Sequence, residues 1–111
     1  MKISSFTGEL TRADSAVAQF LIRVVLDGLA AECEVRGRVV GPQCPGITTV
    51  EIAYPLVRVE AGENTIMLKG VIPEPNLWTR EAPFVYAVSV EVLVEGRQTD
   101  TRACVLALRG R

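Results

Sequence analysis

Carboxylate side chains are the groups of this chain that could do acid–base chemistry. The chain contains no histidine, so its serine, threonine and cysteine residues lack the base that usually activates a nucleophile. Glu32 and Glu34 fall on the polar face of a predicted strand, which points to water. Four other glutamates flank a predicted turn or follow the solvent-facing parity of a strand: Glu60, Glu63, Glu91 and Glu95. We therefore predict no catalytic residue.

The three cysteines, Cys33, Cys44 and Cys104, do not have the paired spacing of a zinc site. Because histidine is also absent, we expect neither a metal centre nor a cofactor. Cys33 and Cys104 fall in predicted strands and could be neighbours, although thiols that act as small apolar fillers are the favoured interpretation. Such cysteine usage weakly indicates a reducing compartment such as the cytoplasm.

Charge argues against nucleic acid as a partner. Twelve basic and thirteen acidic side chains give a formal net charge of −1, which supplies none of the positive field that nucleic-acid binding requires. Arginines do collect near the C-terminus, where they indicate solvated strand edges rather than a phosphate site: Arg97, Arg102, Arg109 and Arg111. The longest apolar stretch, residues 16–26, is shorter than the roughly 20 residues of a membrane helix, so no membrane partner is predicted.

The elements that must position these residues alternate with the period of a β-strand. Residues 84–94 form the clearest strand, with every second residue sharing one apolar face: Tyr86, Val88, Val90, Val92 and Val94. Glu95-Gly96 is a turn signal that connects this strand to a last strand over residues 97–108. Further strands are predicted at residues 2–7, 33–39, 47–54 and 64–72, with a turn at 60–63.

Residues 16–27 fit two structures. Gln19, Arg23 and Asp27 recur every four residues, as on a helix for which Ser15 would be the N-cap. The same three residues all have odd numbers, so a strand would also place them on one face. The density of valine, isoleucine and phenylalanine favours the strand.

The count is about seven antiparallel strands in one domain that spans residues 1–111. Turns at such intervals are typical of an immunoglobulin-like β-sandwich. The antibody pattern of Cys…Trp…Cys is missing, because Trp78 follows two of the cysteines.

The segment around Trp78 is the least generic part of the sequence. Three prolines between residues 73 and 83 stiffen the backbone and remove amide donors, which predicts a rigid connection between two strands. Trp78 beside Leu77 is interpreted as a plug that closes one end of the sandwich. The alternative is a carbohydrate-binding surface on which Trp78, Tyr54 or Tyr86 stacks against a sugar.

This segment resembles the immunoglobulin-like domain of glycoside hydrolase family 2, which includes β-galactosidases, β-glucuronidases and β-mannosidases. The family string is Leu-Trp-Ser/Thr-Pro-Glu-x-Pro-x-Leu-Tyr, and the chain matches it at Leu77, Trp78, Thr79, Glu81, Pro83 and Tyr86. It departs at Arg80, where the family has proline, and at Val85, where the family has leucine. The closing Gly-aromatic-Arg of the family is also incomplete, since Gly110 and Arg111 are adjacent.

The resemblance implies a non-catalytic module that positions its neighbours in a larger glycoside hydrolase. In that family a barrel domain carries the two catalytic glutamates, so the expected partners are the jelly-roll and barrel domains of a parent protein, or a second copy. Val17, Leu21 and Val25 share the polar face of the strand at 16–27, and we interpret them as a possible interface. A further layer of the same domain covering that face is an equal alternative. A carbohydrate-binding module that stacks a sugar on Trp78 is the second hypothesis for function.

Overall fold

Two four-stranded antiparallel sheets form the fold of this protein, as seen in a computed structural model that describes residues 1–109. The strands are β1 (Ile3–Ala13), β2 (Val17–Leu26), β3 (Glu34–Gln43), β4 (Ile52–Pro55), β5 (Val57–Ala61), β6 (Thr65–Pro73), β7 (Val85–Val94) and β8 (Arg97–Leu106). A 3₁₀ turn at Ala30–Glu32 precedes β3. Among the described residues, no helix is long and apolar enough to cross a membrane.

The strand order confirms the predicted sandwich. The first sheet, called sheet A, has the order β1-β2-β6-β5, and the second, called sheet B, has the order β4-β3-β7-β8. Every neighbouring pair of strands is antiparallel. In immunoglobulin lettering, sheet A corresponds to strands A-B-E-D and sheet B to strands C′-C-F-G, where β4 is the strand C′ beside the usual C-F-G set.

The sequence-based strand count was one too low, since eight strands are present where about seven were predicted. β5 was missed because all five of its residues are exposed, so it carries no alternating pattern. β1 was predicted to end at residue 7 and extends to Ala13. Only the second half of the predicted strand at 47–54 is regular, because β4 begins at Ile52.

β2 is a strand, as the density of branched side chains predicted, and it supplies much of the core. Its even-numbered residues are all buried: Ala18, Phe20, Ile22, Val24 and Leu26. β7 faces them from sheet B with Tyr86, Val88, Val90 and Val92. Each such aliphatic side chain contributes about 1.5–3 kcal/mol when it leaves water, so these two strands hold the sheets together.

Phe20 packs against a glycine in the neighbouring strand. Gly70 of β6 lies directly opposite Phe20 in the register of sheet A. A Cβ atom at Gly70 would lie 2.1 Å from the Cζ atom of Phe20, so the aromatic ring occupies the space that a side chain would need. The missing side chain therefore makes room for the largest apolar group of β2.

The two sheets are also joined at the start of β1. The Ile3 backbone N–H donates to the Asp100 carboxylate (2.8 Å), and the Arg102 guanidinium donates to the Ile3 carbonyl (2.9 Å). Asp100 and Arg102 both belong to β8, so side chains of sheet B satisfy the backbone N–H and C=O of one residue at the edge of sheet A.

Candidate functional site

The proline-rich connection between β6 and β7, residues 74–84, contains most of the predicted motif. It crosses one end of the sandwich, where the Trp78 backbone N–H donates to the Leu108 carbonyl (2.9 Å). Leu108 is fully buried, and Leu77 packs in part against the core. The connection is thus tied to the segment that follows β8, and it closes this end of the core.

Tyr86 is the buried aromatic residue of the motif. Its hydroxyl oxygen accepts a hydrogen bond from the Asn76 backbone N–H (2.9 Å), which fixes the connection to the first residues of β7. This arrangement resembles the tyrosine corner of immunoglobulin-like sandwiches. Burial raises the pKa of the Tyr86 hydroxyl, and the hydrogen bond from Asn76 lowers it in part. Because the side chain is buried, the hypothesis that Tyr86 stacks on a sugar is wrong.

Gly41 of β3 makes room for the Tyr86 ring. A Cβ atom at Gly41 would lie 2.6 Å from the Cδ1 atom of Tyr86. The ring therefore packs directly on the backbone of β3, and a larger residue at position 41 would displace it. Sequence reasoning identified the tyrosine through the motif but had no signal for this partner, which lies 45 positions away in the sequence.

Trp78 lies at the rim of the sandwich and is only half-buried. The Arg109 guanidinium lies over its ring, 4.4 Å from the ring centroid. A cation in this position is attracted by the aromatic face. Trp78 therefore covers the end of the core less completely than a buried plug would, and one face of its ring already has a partner.

Glu81 and Pro83 lie in a turn at the tip of the connection. The Thr79 backbone N–H donates to the Ala82 carbonyl (3.1 Å), and the Ala82 N–H donates to the Thr79 hydroxyl (3.0 Å). These bonds explain a serine or threonine at position 79, because a short hydroxyl side chain closes the turn. The Glu81 side chain is exposed.

The acidic residues of the described part of the chain lie at its surface. Among the described residues no charged side chain is buried, and no group of three or more cysteine, aspartate and glutamate side chains could hold a metal ion. Hydrogen bonds from the Arg12 side chain, and then from backbone N–H groups, lower the pKa of Asp14. A catalytic acid needs the opposite shift, which keeps its proton on at neutral pH.

All three cysteines are free thiols, so Cys33 and Cys104 do not form a disulfide. Both are half-buried against the core, and burial raises the pKa of each thiol. A raised pKa reduces the thiolate fraction and hence the reactivity of the thiol.

Of the four C-terminal arginines, Arg102 and Arg109 have the partners described above. Gly110 and Arg111, which were compared with the family's closing motif, lie outside the described residues.

The predicted interface residues Val17, Leu21 and Val25 lie on the outer face of sheet A. β2 is a central strand of this sheet, and its odd-numbered residues point away from the core. All three are half-buried among their neighbours on the same face. No further layer of the described chain covers this face, because the sandwich consists of sheets A and B.

The fold and the motif together define an immunoglobulin-like β-sandwich module. The sequence profile of Glycosyl hydrolases family 2 matches residues 9–109, which is nearly the whole chain. The chain therefore belongs to glycosyl hydrolase family 2, and the family indicates a hydrolase as the parent of this module. No curated protein matches the chain significantly.

Proposed function

We propose that this domain is a non-catalytic module of a glycoside hydrolase family 2 protein, which packs against neighbouring domains and fixes their relative position. The observation that carries the proposal is the apolar outer face of sheet A. Surface valines and leucines are unremarkable when scattered, but a contiguous group on a sheet face is typical of an interaction site.

The outer face of sheet A contains apolar side chains on three adjacent strands. Leu21 of β2 lies opposite Lys69 of β6, which in turn lies opposite Val57 of β5. Val57 is 60% exposed and Val71, opposite Gln19, is 40% exposed. Val71 lies diagonally between Leu21 and Val57, so apolar side chains reach from the centre of the sheet to its edge, with Lys69 and Gln19 among them. A neighbouring domain that covered it would remove this surface from water, at about 25 cal/mol per Å².

The distribution of carboxylates supports a non-catalytic role. Glycoside hydrolysis commonly needs two carboxyl groups that flank the scissile bond. A depression of about 530 Å³ on the outer face of sheet B is lined by only one carboxylate, Glu91, beside Arg36 and Arg38. A shallow hollow at the end of the sandwich opposite Trp78 is lined by two carboxylates, Asp27 and Glu63. The Asp27 carboxylate there accepts a hydrogen bond from the Lys2 backbone N–H (2.8 Å).

The test is binding between this module and the domains that neighbour it in the parent polypeptide. Leu21→Lys places a charge in the centre of the proposed interface and should weaken binding about tenfold or more. Thr7→Lys is the matched control, because Thr7 lies on the same face at the edge strand β1. Melting curves establish that both variants fold. A module that binds neither its neighbours nor itself, or a Leu21→Lys variant that binds like wild type, would contradict the proposal.

Carbohydrate binding through Trp78 is less well supported by the geometry. Arg109 already covers one face of the ring, and stacking on a sugar would use the other face. Titration with oligosaccharides while Trp78 fluorescence is recorded tests this alternative. A saturable change in Trp78 fluorescence, together with heat of sugar binding in calorimetry that is lost in Trp78→Ala, would favour it over the packing role.

A further inference from the structure

A groove at one end of the sandwich is lined by several apolar side chains and one carboxylate. It has a volume of about 440 Å³ and lies between the end of β3, the irregular segment 47–51 and the connection that follows β6. We name it the end groove and define it by these lining residues: Ile47, Val50, Ile52, Pro73, Glu74 and Phe84. Tyr86 forms part of its floor.

Three aliphatic side chains in this groove are exposed within a short stretch of sequence. Val50 is 85% exposed, Ile52 50% and Ile47 46%. These side chains keep about half or more of their surface in contact with water, so they contribute less to the stability of the domain than core residues do. Exposed apolar groups gathered around a concavity are typical of a surface that another molecule covers.

Glu74 gives the end groove a negative charge. Its carboxylate is the only ionic group among the residues that line the groove, and no ion pair to it is present within residues 1–109. The backbone of Glu74 is left-handed, with φ 46°, and its N–H donates to the Ala16 carbonyl (3.0 Å). A glutamate is unfavourable in this conformation, where glycine or asparagine is usual. Residues held in such a conformation often lie at ligand-binding sites.

We propose that the end groove binds an apolar segment of a neighbouring domain that carries a lysine or arginine. Charge complementarity selects this partner, because an apolar side chain would cover Val50 and Ile52 while the cation meets Glu74. The proposal rests on the proposed function, since it names a second surface by which the module packs against its neighbours. The end groove shares no residue with the apolar outer face of sheet A, so the two surfaces can be tested separately.

The direct test uses two short peptides, acetyl-Gly-Leu-Lys-Leu-Gly-amide and its counterpart with glutamate in place of lysine. Amide chemical shifts of the isotopically labelled 111-residue chain report where each peptide binds. The lysine peptide should shift residues 47–52 and Phe84, with a dissociation constant of about 1 mM. The glutamate peptide should bind about two- to fivefold more weakly, and added salt should reduce the difference. Equal binding of both peptides, shifts elsewhere, or no shifts would overturn the proposal.

Variants of the domain separate the apolar and the ionic parts of the site. Glu74→Gln should remove the preference for the lysine peptide, whereas Glu63→Gln at the far end should leave it unchanged. Val50→Ser should abolish peptide binding, and Val105→Ser is its control because Val105 is likewise exposed, at 65%, but lies on β8. A preference for lysine that survives Glu74→Gln would assign the selectivity to another group and overturn the proposal.

Binding to the neighbouring domains distinguishes failure of this proposal from failure of the proposed function. If Leu21→Lys weakens that binding but Val50→Ser and Glu74→Gln do not, the end groove has no role and the packing function stands. If none of these variants weakens it, both proposals fail. Weakening by Val50→Ser and Glu74→Gln, with normal melting temperatures, supports the end groove.

Discussion

Removing the Tyr86 side chain should destabilise this domain far more than removing Trp78. Tyr86 is almost fully buried, its ring packs on Gly41, and its hydroxyl is bonded to Asn76. Truncation of a buried aromatic residue to alanine costs about 3–5 kcal/mol, so Tyr86→Ala should lose that amount. A domain of this size is stable by only about 5–15 kcal/mol.

The cost of Trp78→Ala follows from its position at the rim. The side chain is half-buried, and its ring interacts with the Arg109 guanidinium. A cation–π contact at an exposed site is worth about 0.5–1 kcal/mol, and the lost burial is a fraction of that of a core residue. We therefore expect Trp78→Ala to cost about 1–2 kcal/mol.

Tyr86→Phe isolates the hydrogen bond within this comparison. It keeps the ring on Gly41 and removes only the hydroxyl oxygen that accepts the Asn76 N–H. A donor left without its partner costs about 1 kcal/mol when water can still reach it, and Asn76 is exposed. The order of destabilisation should therefore be Tyr86→Ala first, with Trp78→Ala and Tyr86→Phe both much smaller.

Urea unfolding measures the three costs, provided that the slope of unfolding free energy against denaturant stays constant between variants. Equal losses for Trp78→Ala and Tyr86→Ala would refute the reasoning, because they would restore Trp78 as the plug that its sequence context predicts. A loss for Tyr86→Phe as large as that for Tyr86→Ala would show that the ring packing contributes little.

Three further changes test the backbone and the edges of the sandwich. Gly70→Ala should destabilise the domain by about 1–3 kcal/mol, since the new methyl group would overlap Phe20, and a loss below that range in urea unfolding would contradict the packing. Glu95→Asn should stabilise it by up to about 1 kcal/mol in thermal melts, because residue 95 has a left-handed backbone (φ 51°) that asparagine adopts more easily. The Ile3 N–H lowers the pKa of Asp100, so this carboxylate should stabilise the fold above the ordinary aspartate pKa and lose that contribution as the pH falls through the lowered value. Asp100→Asn should flatten the acid side of the stability profile, and profiles parallel to wild type would exclude the effect.

The central strands were predictable from the sequence because one face of each strand is buried in the core and the other points away from it. β2 and β7 alternate with period two, and this parity identified the buried side chains. β5 offered no such signal because it lies at an edge and is exposed on both faces. The first half of the predicted strand at 47–54 is not a strand, because Ile47 and Val50 line the end groove rather than belong to a sheet.

Of the two proposed interaction surfaces, only the one whose residues lie on a single strand was predictable from the sequence. Val17, Leu21 and Val25 follow from the parity of a single strand, so the sequence indicates the apolar outer face. The end groove combines Val50 with Glu74, which are brought together by the return of the chain after β6. Nothing local to either residue indicates this pairing, because a cavity depends on contacts between distant segments.

The geometry of the sandwich gives a physical reason why two surfaces, as proposed, would fix a neighbouring domain better than one. A domain held through one flat sheet face can still slide or rotate in the plane of that face, because apolar contacts are not directional. A second contact at the end of the sandwich, roughly perpendicular to the first, would remove this freedom. An ion pair at Glu74 would add the direction that apolar contacts lack. A rigid β-sandwich suits this task because its loops and its sheet face are held at a constant separation by one continuous core, from Leu108 at the groove end to Ile3 at the other.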